Sequence, residues 1–225
     1  MIKLFLLFFW VVSFFSCNQF NIDKTSKYSS DNLANSKGYK KRKASKIDSL
    51  LNLSLVSDSV FEQYEDPFLF FKSGYIISRQ ERNAIVINCP TDSTYLLKLY
   101  SINNHKNYLI DSLNNLEAVH SRFEAIFKDY NFDGQTDLFI SVYASDGWSL
   151  QSGHLIAIDP ITKRLKLHGE AKELANMTPN KETKTIISES WEGYDLKNRI
   201  HLTLTKSKWI NGILQRVGQK DTVIP

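Results

Sequence analysis

A run of oxygen-bearing side chains between residues 129 and 137 is the part of this chain best suited to chemistry. It spells Asp-Tyr-Asn-Phe-Asp-Gly-Gln-Thr-Asp, so a side-chain oxygen recurs at every second position. Calcium takes about six to eight oxygen ligands, and alternating acidic residues on a tight loop can converge on one point. The sequence therefore predicts a calcium site with these ligands: Asp129, Asn131, Asp133, Gln135 through its backbone carbonyl, and Asp137 directly or through water.

The setting of this loop indicates a structural ion. Gly134 follows the third ligand and permits the sharp turn such a loop needs. Ile140 stands at the twelfth position, where an EF-hand has a bidentate Glu, so the loop is not a complete EF-hand. Both flanks have strand character, and an ion between two strands stabilises a hairpin. The alternative is a bare turn, because Asp, Asn and Gly are also the usual turn residues.

A second group of carboxylates surrounds Trp191. Glu189, Glu192 and Asp195 lie close in sequence to Trp191 and Tyr194, the residue types that a glycan hydrolase or glycan-binding protein uses. The alternative is an ordinary polar hairpin loop. Trp148, which follows Ser-Asp-Gly on a predicted turn, is either an exposed anchor for a partner or a packed side chain. We therefore take Trp148, Trp191 and Glu192 as candidate partner-binding residues.

Other signs of catalysis are lacking in the sequence. The five histidines show no metal-ligand spacing, and there is neither a G-x-S-x-G elbow nor a P-loop. Cys89 ends a predicted buried strand, with no pattern that would make it a nucleophile. The sequence predicts a protein that is not an enzyme and has no catalytic residues. The histidines are His105, His120, His154, His168 and His201.

The first residues have the features of a secretory signal. Lys3 is followed by an apolar run, and residues 14–17, Phe-Phe-Ser-Cys, resemble a bacterial lipobox. We predict a signal peptide over residues 1–16 and a lipidated, palmitate-bearing Cys17. Ordinary cleavage beside an incidental cysteine is the alternative. Asn18 lacks the negative charge that favours inner-membrane retention, so we expect an outer-membrane anchor with the domain facing the periplasm.

Residues 17–55 have the polar composition of a flexible, disordered tether. The tether includes a basic run at 40–43 and a weak helical segment at 46–55. Residues 56–225 are long enough for one domain with a sizeable core. Removing residues 1–16, whose only charged side chain is Lys3, lowers the formal net charge from +4 to +3. That charge is too small to argue for nucleic acid.

The domain is predicted to be mainly β, with antiparallel hairpins in an incomplete propeller-like or sandwich array. Asn211-Gly212 is a strong hairpin signal, and residues 159–163 form a short turn between two apolar runs. No internal repeat is visible, which weighs against a regular propeller. Strands are predicted at 75–78, 83–88, 95–101, 107–111, 121–128, 137–144, 154–158, 164–168, 185–190, 199–207 and 213–217.

Residues 127–138 resemble the F-x-D-x-N-F-D-G-x-x-D-L signature of a family of bacterial periplasmic and lipoprotein β-domains, some related to lysozyme inhibitors. Residues 159–165 and 209–214 are similar to two hairpins of that family, although Lys163 stands where glycine is usual. The loop alone is also shared with FG-GAP repeats. The resemblance covers roughly residues 121–223 and implies the calcium loop and an incomplete propeller-like fold; residues 56–120 carry no matching motif.

Two functions follow as expectations. The first is a monomeric envelope lipoprotein whose calcium-stabilised β domain is a non-catalytic binding or inhibitor-like module for a cell-wall enzyme or glycan. The second is a glycan-active hydrolase or glycan-binding protein that uses the carboxylates around Trp191.

Overall fold

Strand pairing follows chain order throughout. The computed structural model describes residues 45–103, 105–119, 123–144 and 150–224. Sheet 1 contains β1 (Val60–Glu65), β2 (Phe68–Gly74), β3 (Arg82–Thr91), β4 (Thr94–Ile102) and β5 (Asn107–Glu117). Sheet 2 contains β6 (Ala125–Lys128), β7 (Asp137–Ala144), β8 (Gln151–Ile158) and β9 (Leu165–His168). Sheet 3 contains β10 (Ala175–Asn180), β11 (Thr185–Tyr194), β12 (Ile200–Ile210) and β13 (Ile213–Ile224). Each sheet is an antiparallel meander, because neighbours in space are neighbours in sequence.

Sheet 2 contributes apolar side chains to two separate cores. Leu138, Ile140 and Ile156 pack with apolar residues of sheet 1, including Ile85 and Leu97. The alternate residues of the same strands belong to a second cluster with apolar residues of sheet 3: Phe139, Leu155, Met177, Ile186 and Leu214. Successive side chains of a strand point to opposite faces, so sheet 2 is buried on both sides.

A helix, α1 (Lys46–Val56), covers part of the remaining face of sheet 1. It begins in a capping box, in which Ser45 accepts from the Asp48 backbone and Asp48 accepts from that of Ser45. Its Leu50 and Leu51 are buried in a third cluster with strand residues such as Phe71 and Val86. The guanidinium of Arg82 donates to the carbonyls of Ser54 and Ser57 at the C-terminal end of the helix.

The prediction of a mainly β chain built of antiparallel hairpins is confirmed. The hairpin at Asn211-Gly212 and the turn at 159–163 also lie where they were predicted. β1, β2 and β10 were not predicted. The predicted strand at 75–78 is wrong, because residues 75–77 form bends and residue 78 is irregular. Within the described ranges the three sheets do not close into a ring.

α1 packs on sheet 1 through Leu50 and Leu51, and most of this helix lies in the stretch 17–55 that the sequence assigns to the tether. The predicted signal peptide, Cys17 and most of the predicted tether lie outside the described residues. In the part of the chain that the structure describes, no helix combines the length and apolar character required to cross a membrane.

Candidate metal centre

The predicted calcium loop connects β6 to β7 at the edge of sheet 2. The two strands pair with Lys128 opposite Asp137, so the loop leaves and re-enters the sheet at adjacent points. Phe132 and Gly134 adopt positive φ values of 62° and 87°. This left-handed backbone is strained for a side chain such as Phe132, but Gly134 adopts it readily. The local conformation therefore turns the chain sharply between β6 and β7.

Two oxygen atoms of this loop are buried and have no hydrogen-bond partner among the described residues. One is Oδ1 of Asp129, and the other is Oε1 of Gln135. The second carboxylate oxygen of Asp129 is occupied, since it accepts from the Gly134 backbone N–H at 3.1 Å. Buried polar atoms in proteins nearly always have a partner, so these two oxygens fit the ligands of an ion. The sequence predicts only a backbone role for Gln135, and the structure adds its side-chain oxygen as a candidate ligand.

Asn131 joins the other two predicted carboxylate ligands. Its Oδ1 accepts from the Asp133 backbone N–H at 3.0 Å. Its Nδ2 lies 3.0 Å from Asp133 Oδ2 and 3.5 Å from Asp137 Oδ1. The three side chains are therefore brought together, as the spacing of the sequence predicts.

Asp137 is fully buried and fixes the loop from inside. Its Oδ2 accepts from the backbone N–H groups of Tyr130 at 2.9 Å and Asn131 at 3.1 Å. Its Oδ1 lies 3.4 Å from the N–H of Ile158, at the end of β8. Burial raises the pKa of Asp137 to about 7, and the charge of Asp133 contributes further, although the N–H groups of Tyr130 and Asn131 oppose the change.

The loop's three carboxylates have no ion pair with a cationic side chain within the described ranges. In the same ranges, no three His, Cys, Asp or Glu side chains form a group that could hold a metal ion by themselves. The candidate donor set differs from such a group, because it would also use the side-chain amide oxygens of Asn131 and Gln135, the latter in place of the predicted backbone carbonyl. Carboxylate and amide oxygens are the hard donors that calcium takes, so the residues present fit that ion.

Two contacts distant in sequence hold the loop in place. The Thr136 N–H donates to the Ile77 carbonyl at 2.9 Å, which attaches the loop to the connection between β2 and β3. The indole Nε1 of Trp209, on β12, donates to the Tyr130 carbonyl at 2.7 Å. Sheets 1 and 3 thus both contact a loop that belongs to sheet 2. The sequence carries no signal for either contact, because the partners are far apart in the chain.

The carboxylates around Trp191 are each engaged by a different partner. Glu189 Oε2 accepts from Asn176 Nδ2 at 2.7 Å, and Glu192 Oε1 accepts from the Ser190 hydroxyl at 3.3 Å. Asp195 Oδ2 lies 2.6 Å from Arg199 Nη2. The backbone N–H of Arg199, together with its guanidinium, holds the pKa of Asp195 well below its usual range.

Trp191 itself is 38% exposed and lies edge-to-face against Tyr194, with ring centroids 5.7 Å apart. Trp148, the other aromatic candidate, lies outside the described residues. The structure therefore leaves the Trp191 side chain accessible, and its three neighbouring carboxylates are held by separate partners.

Cys89 is partly buried, and burial together with the nearby charge of Asp92 raises the pKa of its thiol to about 11. The thiol is therefore protonated at neutral pH, which is the unreactive form. Of the histidines, His168 lies 3.0 Å from Glu170 and packs edge-to-face on Trp209, while His201 lies 3.5 Å from Asp195. His120 lies outside the described residues.

No family model, curated protein or solved structure matches this chain.

Proposed function

We propose that this protein is an envelope lipoprotein whose calcium-stabilised β domain is a non-catalytic binding or inhibitor-like module. The observation that carries the proposal is the pair of buried, unpartnered oxygens, Asp129 Oδ1 and Gln135 Oε1, in a loop that also holds Asp133 and Asp137. A divalent cation would be coordinated by both oxygens and would offset the loop's negative charge. The lipid anchor at Cys17, the outer-membrane location and the periplasmic orientation are the sequence-based parts of the same proposal.

The ion's role in this proposal is structural. Asp129, Asn131, Asp133, Gln135 and Asp137 would hold calcium, and the bound ion would supply positive charge to a loop that contacts all three sheets. An ion that binds the folded state alone stabilises that state by mass action. The sheets that it would join are three successive stacked meanders, which supports an open, propeller-like or sandwich array over a closed propeller.

The binding role rests on the chemistry of the surface. Glu189, Glu192 and Asp195 are taken up by separate partners, which favours a non-catalytic module over a glycan hydrolase that needs a facing carboxylate pair. The accessible Trp191 and Tyr194 are aromatic side chains of the kind that anchor partners.

Calorimetric titration of the purified protein with calcium, followed by capture from envelope extract in calcium and in chelator, tests the proposal. Saturable calcium binding at one site and a calcium-dependent captured cell-wall enzyme or glycan are the expected results. Absence of calcium binding would refute the metal site. Turnover of a glycan substrate would favour the hydrolase over the non-catalytic binding module.

A further inference from the structure

A cleft of about 630 Å³ lies on the outer side of the candidate metal loop. Its lining comes from the connection between β2 and β3, from the end of β6 with the loop itself, and from the end of β10 with the turn that follows it. Each of the three sheets therefore supplies part of the wall. The volume lies within the range of about 300–1,000 Å³ that is usual for ligand pockets.

Each of those three segments places one cation in the cleft. Arg79 follows β2, Lys128 is the last residue of β6, and Lys181 follows β10. All three side chains are exposed, and none forms an ion pair within the described ranges. Like charges repel, so three unpaired cations from separate sheets around one cavity favour a ligand of negative charge.

Asp129 is the one acidic side chain among the described residues that line the cleft, and it points into its own loop. One of its carboxylate oxygens accepts from the Gly134 N–H, and the other is buried. Asp129 therefore offers the cleft little exposed negative charge, and calcium in the loop would neutralise it further.

Hydroxyl groups in the cleft wall add hydrogen-bond donors to these positive charges. Ser78 lines the cleft, and its oxygen lies 3.4 Å from the Gln80 N–H and 3.2 Å from the Glu81 N–H, both of which can donate to it. A hydroxyl oxygen has two lone pairs and one O–H, so Ser78 in this arrangement keeps its proton to donate to a ligand. Thr136 contributes a second hydroxyl to the same wall.

We infer that this cleft binds an oxyanion, that is, a phosphate, sulfate or carboxylate group of the module's ligand. The guanidinium of Arg79 can bind such a group through two parallel hydrogen bonds, while Lys128 and Lys181 act as point charges. The inference rests on the proposed binding-module function and names the chemical class of its ligand. Because Asp129 belongs both to the cleft wall and to the metal loop, the anion and calcium are expected to raise each other's affinity by the same factor.

The test is a titration with inorganic sulfate followed by the amide NMR signals of the protein, in calcium and in chelator. The cleft variant carries Arg79→Gln, Lys128→Gln and Lys181→Gln. The matched control carries Lys206→Gln, Lys208→Gln and Lys220→Gln, three exposed lysines of sheet 3 that do not line the cleft. Both variants lose the same charge.

Saturable shifts confined to signals around Arg79, Lys128 and Lys181, with affinity at least tenfold weaker in the cleft variant and unchanged in the control, are the expected result. Equal affinity in the two variants, or shifts spread over all lysines, would overturn the inference. Saturation in chelator without any calcium binding would leave the anion site standing and remove the metal from the proposed function. Calcium binding without sulfate saturation would leave the metal site standing and overturn the anion site.

A second arm identifies the source of the anion. Vesicles of phosphatidylglycerol and phosphatidylcholine are sedimented with each variant. Co-sedimentation that is lost only in the cleft variant assigns the anion to a lipid headgroup, and sulfate saturation without co-sedimentation assigns it to a soluble ligand. Equal vesicle binding by both variants, without sulfate saturation, counts against the cleft.

Discussion

The indole nitrogen of Trp209 donates a 2.7 Å hydrogen bond to the backbone carbonyl of Tyr130, seventy-nine residues earlier in the chain. This bond attaches the last hairpin of the protein to the candidate metal loop. Trp209→Phe would keep an aromatic ring beside His168 but remove the donor together with part of the ring. We expect a loss of about 1–2 kcal/mol, because a buried carbonyl loses its partner.

Chemical denaturation checks this expectation, and calcium titration of the same variant separates a local effect from a global one. The calcium affinity should fall along with stability, since Tyr130 lies between two of the predicted ligands. Unchanged calcium affinity would mean that the bond stabilises the fold but does not organise the loop.

Calcium should raise the melting temperature. At a free calcium concentration of 100 times the dissociation constant, mass action adds about 2.7 kcal/mol. For a domain of this size that corresponds to an increase of about 5–10 °C. Asp133→Ala should abolish the increase, whereas Asp58→Ala, the same substitution at another exposed aspartate, should leave it intact. Equal melting temperatures of the unaltered protein in calcium and in chelator would refute the site.

The contribution of His154 to stability should be lost as the pH falls below about 6.5, the unperturbed pKa of histidine. His154 is buried on β8, with its Nε2 3.0 Å from the Glu117 carbonyl. Burial lowers the pKa of His154, and the charge of Lys172 acts in the same direction. In this pH range the unfolded chain binds a proton that the folded protein resists, so the stabilisation present above the unfolded pKa is lost as the pH falls.

Relative to the unaltered protein, His154→Gln should gain stability as the pH falls below about 6.5, while His105→Gln, at an exposed histidine, should leave the pH profile unchanged. The raised pKa of Asp137, about 7, makes an opposite contribution that all three proteins share, so it cancels in the comparison. Denaturant midpoints between pH 5 and pH 8 (about the range in which histidine titrates) provide the measurement. A profile with the same slope in both variants would contradict the assignment to His154.

Gly153→Ala should prevent normal packing of sheet 2. A Cβ at Gly153 would lie 2.0 Å from the Ile140 carbonyl oxygen on the neighbouring strand, a contact that the backbone cannot relieve by a rotamer change. We expect a loss of at least about 3 kcal/mol, measured by denaturation or seen as failure to fold. Gly169→Ala is the matched control, because a Cβ there has open space around it. Similar stability of the two variants would contradict the close approach.

The sequence predicts those strands that are marked by a turn signal or by alternation of apolar and polar residues. β12 and β13 were expected because Asn-Gly separates two β-rich runs and Asn211 and Gly212 adopt the positive φ of such a turn. β2 was missed because α1 covers one face and sheet 2 the other, so its apolar run shows no alternation. β10 was missed because its sequence, Ala-Asn-Met-Thr-Pro-Asn, has the composition of a turn; as an edge strand it tolerates proline.

The candidate site likewise has a part that the local sequence predicts and a part that it does not. The spacing of Asp129, Asn131, Asp133 and Asp137 is local information, and the structure brings the last three together. The contacts of the loop with Ile77 and Trp209 depend on how sheets stack, which no local pattern encodes. A truncation after residue 50, within the predicted tether, would cut through α1 (Lys46–Val56).

The strict chain order of the strands has a consequence for folding. Within each sheet every strand pairs with the next one. Most of the contacts that build a sheet are therefore local in sequence, and local contacts of this kind form rapidly. The candidate metal loop is different, because its two long-range hydrogen bonds are made with residue 77 and residue 209. We therefore expect the loop to reach its final form only after the last hairpin has docked, so calcium capture would report complete folding.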